Sequence, residues 1–328
     1  MTGVGENGQI WTSADALGWI SRVSGTTNRL RDVEFGDGTF MAVGDYYTIV
    51  ASTNAVDWVA KSSEAESPYV DVAYLKRKFI VVLREGGRTF IYQGGVQRSI
   101  LNDAFLAEIT YGNGFYLAVG ESDVPEPASA TVVVSTNLLS WDFFQPEFLS
   151  KGALYDVEYG NMIFVTRGDA GVFSSADGMR WTRSLQNLNA LNSITGLTYG
   201  GGIFLLTGCV GKLATSTDGQ HWTVRDTGVT NGLGRGVFAN HTFLLPSSAF
   251  FLQSDPVTTL QLAASSQPEL SIDGPPDWVC DIEIRNGLES TNTWQVADTV
   301  TLTNPPTVWR DSNSAPHPQR FYRAILRP

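Results

Sequence analysis

Four acidic residues recur at one register of the chain. Counting three residues back from Phe35, Tyr74, Tyr111 and Tyr159 finds Asp32, Asp71, Glu108 and Asp156. Carboxylates brought together could hold a hard cation such as Ca²⁺, with Asp71, Glu108 and Asp156 as ligands. They could also divide acid and base roles in a hydrolase or lyase. Converging like charges raise one another's pKa unless a cation or hydrogen-bond donors compensate. A structural use is also open: each acid could accept amide hydrogen bonds from the neighbouring repeat. The next two copies place Gly196 and Arg235 at this register, so the run of acids ends on a positive charge. Nearby turns offer Tyr46 and Tyr47 in "GDYYT" and Arg84 and Arg88 in "REGGRT". With Arg235 these are the candidate ligand contacts: rings can stack on sugars, and planar polar groups can bond to hydroxyls. Solvation alone would equally account for such loop residues.

Other chemistries have no footing. His221, His241 and His317 are isolated, and no His-x-x-x-His or Cys-x-x-Cys spacing suggests zinc. There is no Gly-x-Ser-x-Gly elbow and no glycine-rich phosphate loop before a helix. The net charge of −11 speaks against nucleic acid, since phosphate binding needs a basic face. No apolar run reaches membrane-spanning length. Charged residues are only 17% against 33 glycines, which favours short strands joined by tight turns.

The elements that must position the acids are repeats. "TSADALGW", "ASTNAVDW", "VSTNLLSW", "SSADGMRW" and "TSTDGQHW" place Ser six residues, and Asp or Asn four residues, before Trp. The trios are Ser13, Asp15, Trp19; Ser52, Asn54, Trp58; Ser135, Asn137, Trp141; Ser175, Asp177, Trp181; and Ser216, Asp218, Trp222. Their serines are separated by 39, 83, 40 and 41 residues, and the copy inside the 83-residue gap has lost its motif around Ile91–Gln93. Upstream of most copies lies a second block, such as "LYDVEYGNMIFVTRG". A period near forty with four alternating strands per unit predicts an all-β protein, a β-propeller of four-stranded blades. Within a blade, "DVEYG" and "MIFVT" are strands a and b, the Ser register is strand c and "RWTRS" is strand d. Ser and Asp would bond to amides of the c–d hairpin, with Gly178 and Gly219 supplying positive φ. The indole would fill the gap between sheets and donate its N–H to the backbone.

Ser-x-Asp-x-Gly-x-x-Trp resembles the Asp-box, or bacterial neuraminidase repeat, of sialidase-like propellers and photosystem II assembly factors. The likeness spans roughly residues 1–255. It implies that the box is structural and lies away from the ligand face, which the d–a and b–c loops share. Sialidase activity is not expected, because the Arg-Ile-Pro motif of that family is absent.

Strand segments total about twenty-six, between six and seven blades, and seven is favoured. The propeller is expected over 1–256 and a small β-sandwich-like module over 257–328. "VWRDSNSAPHPQRFYRAILRP" resembles the C-terminal module of secreted proteins of Verrucomicrobia-type bacteria. That likeness and a count of only five lysines suggest a secreted or periplasmic protein, although "MTGVGENGQI" is not a signal peptide. Cys209 and Cys280 are read as unpaired thiols, with a bridge as the alternative. The expected function is binding of a glycan or protein ligand by a monomer at the acidic, tyrosine-bearing face. Beyond a possible divalent cation no cofactor is expected. The alternative is a glycosidase, or a Ca²⁺-dependent phosphoester or lactone hydrolase.

Overall fold

The computed structural model describes residues 1–328 except 15–17, 62–66, 123–128, 145–151, 185–187, 248–250, 255–256, 258, 264–267, 287–292, 304–305, 313–319 and 328. Asp15 and most of the acidic 121–131 loop lie outside the described residues. The chain divides into two compact units, one of Met1–Tyr199, Ile203–Gly236 and Pro246–Phe250, the other of Gly200–Gly202, Val237–Leu245 and Phe251–Pro328. Regular structure among the described residues is almost wholly β-strand, with short 3₁₀ turns at Glu6–Gly8 and Asn189–Leu191. No helix among them is long and apolar enough to cross a membrane.

The repeats fold into successive antiparallel sheets whose strands pair in sequence order, as β-propeller blades do. A three-stranded sheet opens the chain, five four-stranded sheets follow, and Val237–Ala239, Thr242–Pro246 and Phe251–Gln253 form another sheet of three. The copy without the trio is still a full sheet. Its strands Arg88–Gln93 and Val96–Asn102 turn through Gly94 and Gly95, both at positive φ. Two glycines close this hairpin without the trio, because a tight turn needs residues at positive φ.

The core of the first unit lies between sheets. Trp181 packs with Leu117, Val119, Val132 and Val134 of the preceding sheet and with Phe164 and Phe173 of its own. Trp222 bridges Val165 and Val172 to Leu197, Phe204 and Leu206 in the same way. Glycines set the spacing: a Cβ on Gly112 or Gly160 would stand about 2 Å from the ring of Tyr159 or Tyr199 of the next sheet. The turn residues Asn113 and Asn161 accept hydrogen bonds from those tyrosine hydroxyls, at 2.6 and 2.8 Å. They also donate to the carbonyls of Ala176 and Thr217 in the next outer hairpin.

In the second unit, Glu269–Asp273 lies between Thr259–Ala263 and Thr307–Arg310, and Val279–Arg285 lies between Gln295–Thr301 and Phe321–Arg327. Leu270, Ile272, Cys280, Ile282 and Leu302 form its buried centre. Both cysteines are free thiols, Cys209 exposed and Cys280 buried.

Candidate functional site

Each acid of the repeated register is aimed by a break in strand a. The pairing of strands a and b slips between Leu30 and Asp32, Tyr69 and Asp71, Leu106 and Glu108, and Leu154 and Asp156. An extra residue in one strand re-aims the side chain that follows it. The re-aimed carboxylates reach the innermost strand of the next sheet. Asp32 accepts the Val72 amide at 2.9 Å, Asp71 that of Ile109 at 3.0 Å, Glu108 that of Val157 at 2.7 Å and Asp156 that of Leu197 at 3.1 Å. This is the structural use weighed from the sequence: each acid staples its sheet to the next.

Position 235 completes the run differently. The Arg235 guanidinium pairs with Glu108, with Glu158 at 3.0 Å and with Asp156 at 4.0 Å. Gly196 stands at the acid register of the sixth sheet because a Cβ there would meet the Arg235 Cα at 2.4 Å. Arg167 also pairs with Asp156, and donates to the carbonyls of Ile194 at 3.0 Å and Thr195 at 3.3 Å. Arg235, a candidate ligand contact in the sequence, is therefore engaged by carboxylates.

Burial governs the electrostatics of this cluster. It pushes Asp71 well above the usual carboxylate range, and the charges of Asp32 and Glu108 add to the rise. Burial raises Glu108 despite Arg235, and Glu158 likewise. Glu34 is pushed up to about 7, by burial first and then by Asp32 and Glu158, against the Phe35 amide and Arg235. For Arg235, burial works against the charge, but Glu108, Glu158 and Asp156 hold the proton well above the ordinary value. Glu34 and Glu158 escaped the sequence reading. The signal was available: side chains two apart on a strand share a face, so position 34 follows from 32 and 158 from 156. Among the described residues, no three His, Cys, Asp or Glu side chains are grouped as metal ligands. Asp71, Glu108 and Asp156 instead spend carboxylate oxygens on amides.

The other candidates are divided. Tyr46 and Tyr47 are both at positive φ, 57° and 53°, in the turn between strands b and c. Tyr47 donates its amide to the Ser67 carbonyl at 3.1 Å and stacks edge-on to Tyr69 at 5.6 Å, which meets Tyr92 at 6.4 Å. Burial, then a hydrogen bond with Glu85, pushes the Tyr47 hydroxyl up to about 12. Tyr46 is 41% exposed. Arg84 turns to the carbonyls of Leu106 and Phe105, at 2.6 and 3.0 Å, while Arg88 is exposed.

The trios work as local turns. Asp177 Oδ1 accepts the amides of Met179 and Arg180 at 2.9 and 2.7 Å, Ser175 Oγ accepts that of Gly178 at 2.8 Å, and the Trp181 indole donates to the Gly178 carbonyl at 3.1 Å. Ser216, Asp218 and Trp222 repeat the pattern, and Asn54 and Asn137 serve as acceptors in their own turns. Trp141 differs, donating to Ser99 Oγ on the preceding sheet at 2.9 Å. Ser13 is buried, Trp58 is 8% exposed and Trp19 is half-buried.

No protein-family model matches the chain, and no curated protein sequence matches it. Solved structures do. A YCF48 bound to D1 peptide shares 15% identity at a TM-score of 0.58, covering 77% of this chain and 89% of that one. The WD40 β-propeller domain of Doa1 shares 10% at 0.56, covering 77% and 87%. YCF48 from Cyanidioschyzon merolae shares 11% at 0.53, covering 75% and 94%. At such identities the likeness speaks for architecture alone. With the sheets described above, it makes this chain a β-propeller followed by a small β module.

Proposed function

We propose that the protein is an exported binding propeller that holds a segment of a protein partner against its tyrosine-bearing rim. The observation that carries the reading is the Tyr46–Tyr47 turn. Left-handed backbone costs a non-glycine residue roughly 1–2 kcal/mol, and "EGGR" puts glycines, Gly86 and Gly87, at the same kind of turn. Tyr47 is fixed by the Ser67 carbonyl, Glu85 and Tyr69, while Asp45 beside it is held by Arg31 at 2.5 Å. A rigid base therefore presents the exposed Tyr46 ring, and rigid aromatics give contact area at small entropic cost. Binding is favoured over catalysis because the axial carboxylates are occupied by amides and arginines. That one propeller of similar fold is bound to a peptide supports the choice of a protein ligand. Export rests on the scarcity of lysine and the C-terminal likeness.

Selection of a displayed peptide library tests the reading. Enriched peptides should lose binding at least tenfold to Tyr46→Ala. Absence of enrichment, or equal binding by the variant, overturns it. Recovery of the native protein from the cytosol would remove the export claim.

A further inference from the structure

A cavity of about 840 Å³ opens beside the b–c turn of the fifth sheet, walled by residues 167–172, 183–184, 188–189 and 192–194 with Tyr155. Its volume is in the range of small-ligand sites. Tyr155 is the extra residue of the strand-a irregularity between Leu154 and Asp156. Tyr155 is 41% exposed, and Arg167 lies over its ring at 5.1 Å. Asp169 fixes the ring by accepting the Tyr155 hydroxyl at 2.8 Å through Oδ1, while Oδ2 accepts the Ala153 amide at 2.9 Å. Each carboxylate oxygen retains a further lone pair. Two guanidinium groups line the wall. That of Arg167 is spent on Asp156 and two carbonyls, whereas the Arg183 guanidinium makes no ion pair or hydrogen bond among the described residues, its backbone alone being paired with Phe173 in the sheet.

Part of the backbone around this cavity is also committed. The amides of Asp169, Ser184, Leu191 and Asn192 donate to Ala153, Val172, Leu188 and Asn189. A peptide entering here would find the amides of Asp169, Ser184 and Asn192 already engaged. What the wall offers instead is side-chain chemistry: a positioned aromatic ring, a carboxylate, the Asn192 amide, the Ser193 hydroxyl and one uncommitted cation. A guanidinium fork matches a carboxylate in two parallel hydrogen bonds. We infer that this cavity is a saccharide subsite for a hexuronate unit. Arg183 pairs with the sugar carboxylate, Tyr155 lies beneath the ring, and Asp169 and Asn192 take hydroxyls. The site is separate from the tyrosine rim and stands without it.

Calorimetric titration of the full chain with trigalacturonate tests this. Wild type should bind it at least tenfold more tightly than neutral galactotriose. Arg183→Gln should lose roughly 10- to 100-fold of that affinity, the range of a charge-assisted pair. Arg183→Lys should lose less, Tyr155→Ala several-fold, and Tyr46→Ala nothing. Unchanged melting of Arg183→Gln would separate lost contact from lost fold. Three results would overturn the inference: no heat with trigalacturonate, equal affinity in wild type and Arg183→Gln, or equal Arg183-dependent binding of acetyl-triglutamate amide. The last would assign the cavity to an acidic protein segment.

Discussion

At the outer hairpins a carboxylate serves the amides two and three residues ahead; at the innermost strands it serves an amide 38 to 49 residues away. The groups are the same and their electrostatics are opposite. Asp177 is only slightly buried, and the amides of Arg180 and Met179 with the Ser175 hydroxyl outweigh that burial, holding it below the usual range. Asp71 and Glu108 are enclosed between sheets, and burial outweighs their donors, so both are raised. A carboxylate in a turn satisfies the chain locally. Between sheets it joins distant parts of the chain but brings a charge that must be neutralised, and Arg235 does so.

Breaking the outer system should cost most. Trp181→Ala empties a buried indole site and should destabilise by about 3–5 kcal/mol in urea unfolding. That loss should be the same at pH 5 and pH 8, because no charge is removed. Arg235→Ala breaks the inner system. Side chains of Glu108 and Asp156 are 8% and 10% exposed, but that of Arg235 is 39% exposed, so the loss should be about 3 kcal/mol, at the lower end for buried pairs. It should grow from pH 5 to pH 8, as raised carboxyls give up their protons without a counter-charge. A pH-independent loss would show that packing, not charge, is what Arg235 supplies.

Glu34 sharpens the comparison. Its folded pKa of about 7 lies above the ordinary 4.5, so its contribution is full below about pH 4.5 and is lost as pH rises through about 7. Glu34→Gln should flatten the fall in unfolding free energy across that window, by an amount on the order of 2 kcal/mol, read from urea unfolding at each pH. A slope identical to wild type would mean that Glu34 titrates normally. The smallest effect is a gain. Met162 is 76% exposed at φ 64°, where Gly114 and Gly202 stand in sister turns, so Met162→Gly should stabilise by about 1 kcal/mol. Because the turn carries no buried charge, that gain should not change with pH.

Much of the site was legible in spacing. The three-residue offset from an aromatic located all four inner acids, and Asp32, Asp71, Glu108 and Asp156 each bond to the neighbouring repeat, as their recurrence suggested. Glu34 and Glu158 were missed because they occur in only two repeats, and a search for recurrence passes over what does not recur. Tyr155 and Asp169 were missed for another reason. Their pairing depends on a slipped register in strand a, and nothing in "LYDVEYG" marks where a ladder skips a residue.

The sequence by itself determined the β-propeller architecture and the outer hairpins, because hydroxyl, carboxylate and indole act there on amides and carbonyls of the same turn. Tertiary structure alone decided what the inner carboxylates face, that Arg235 is spent on them, and that Arg183 is left uncommitted beside Tyr155. The physical reason is range. A turn is closed by neighbours in the chain, but the charge state and partners of a buried group depend on side chains that only folding brings near.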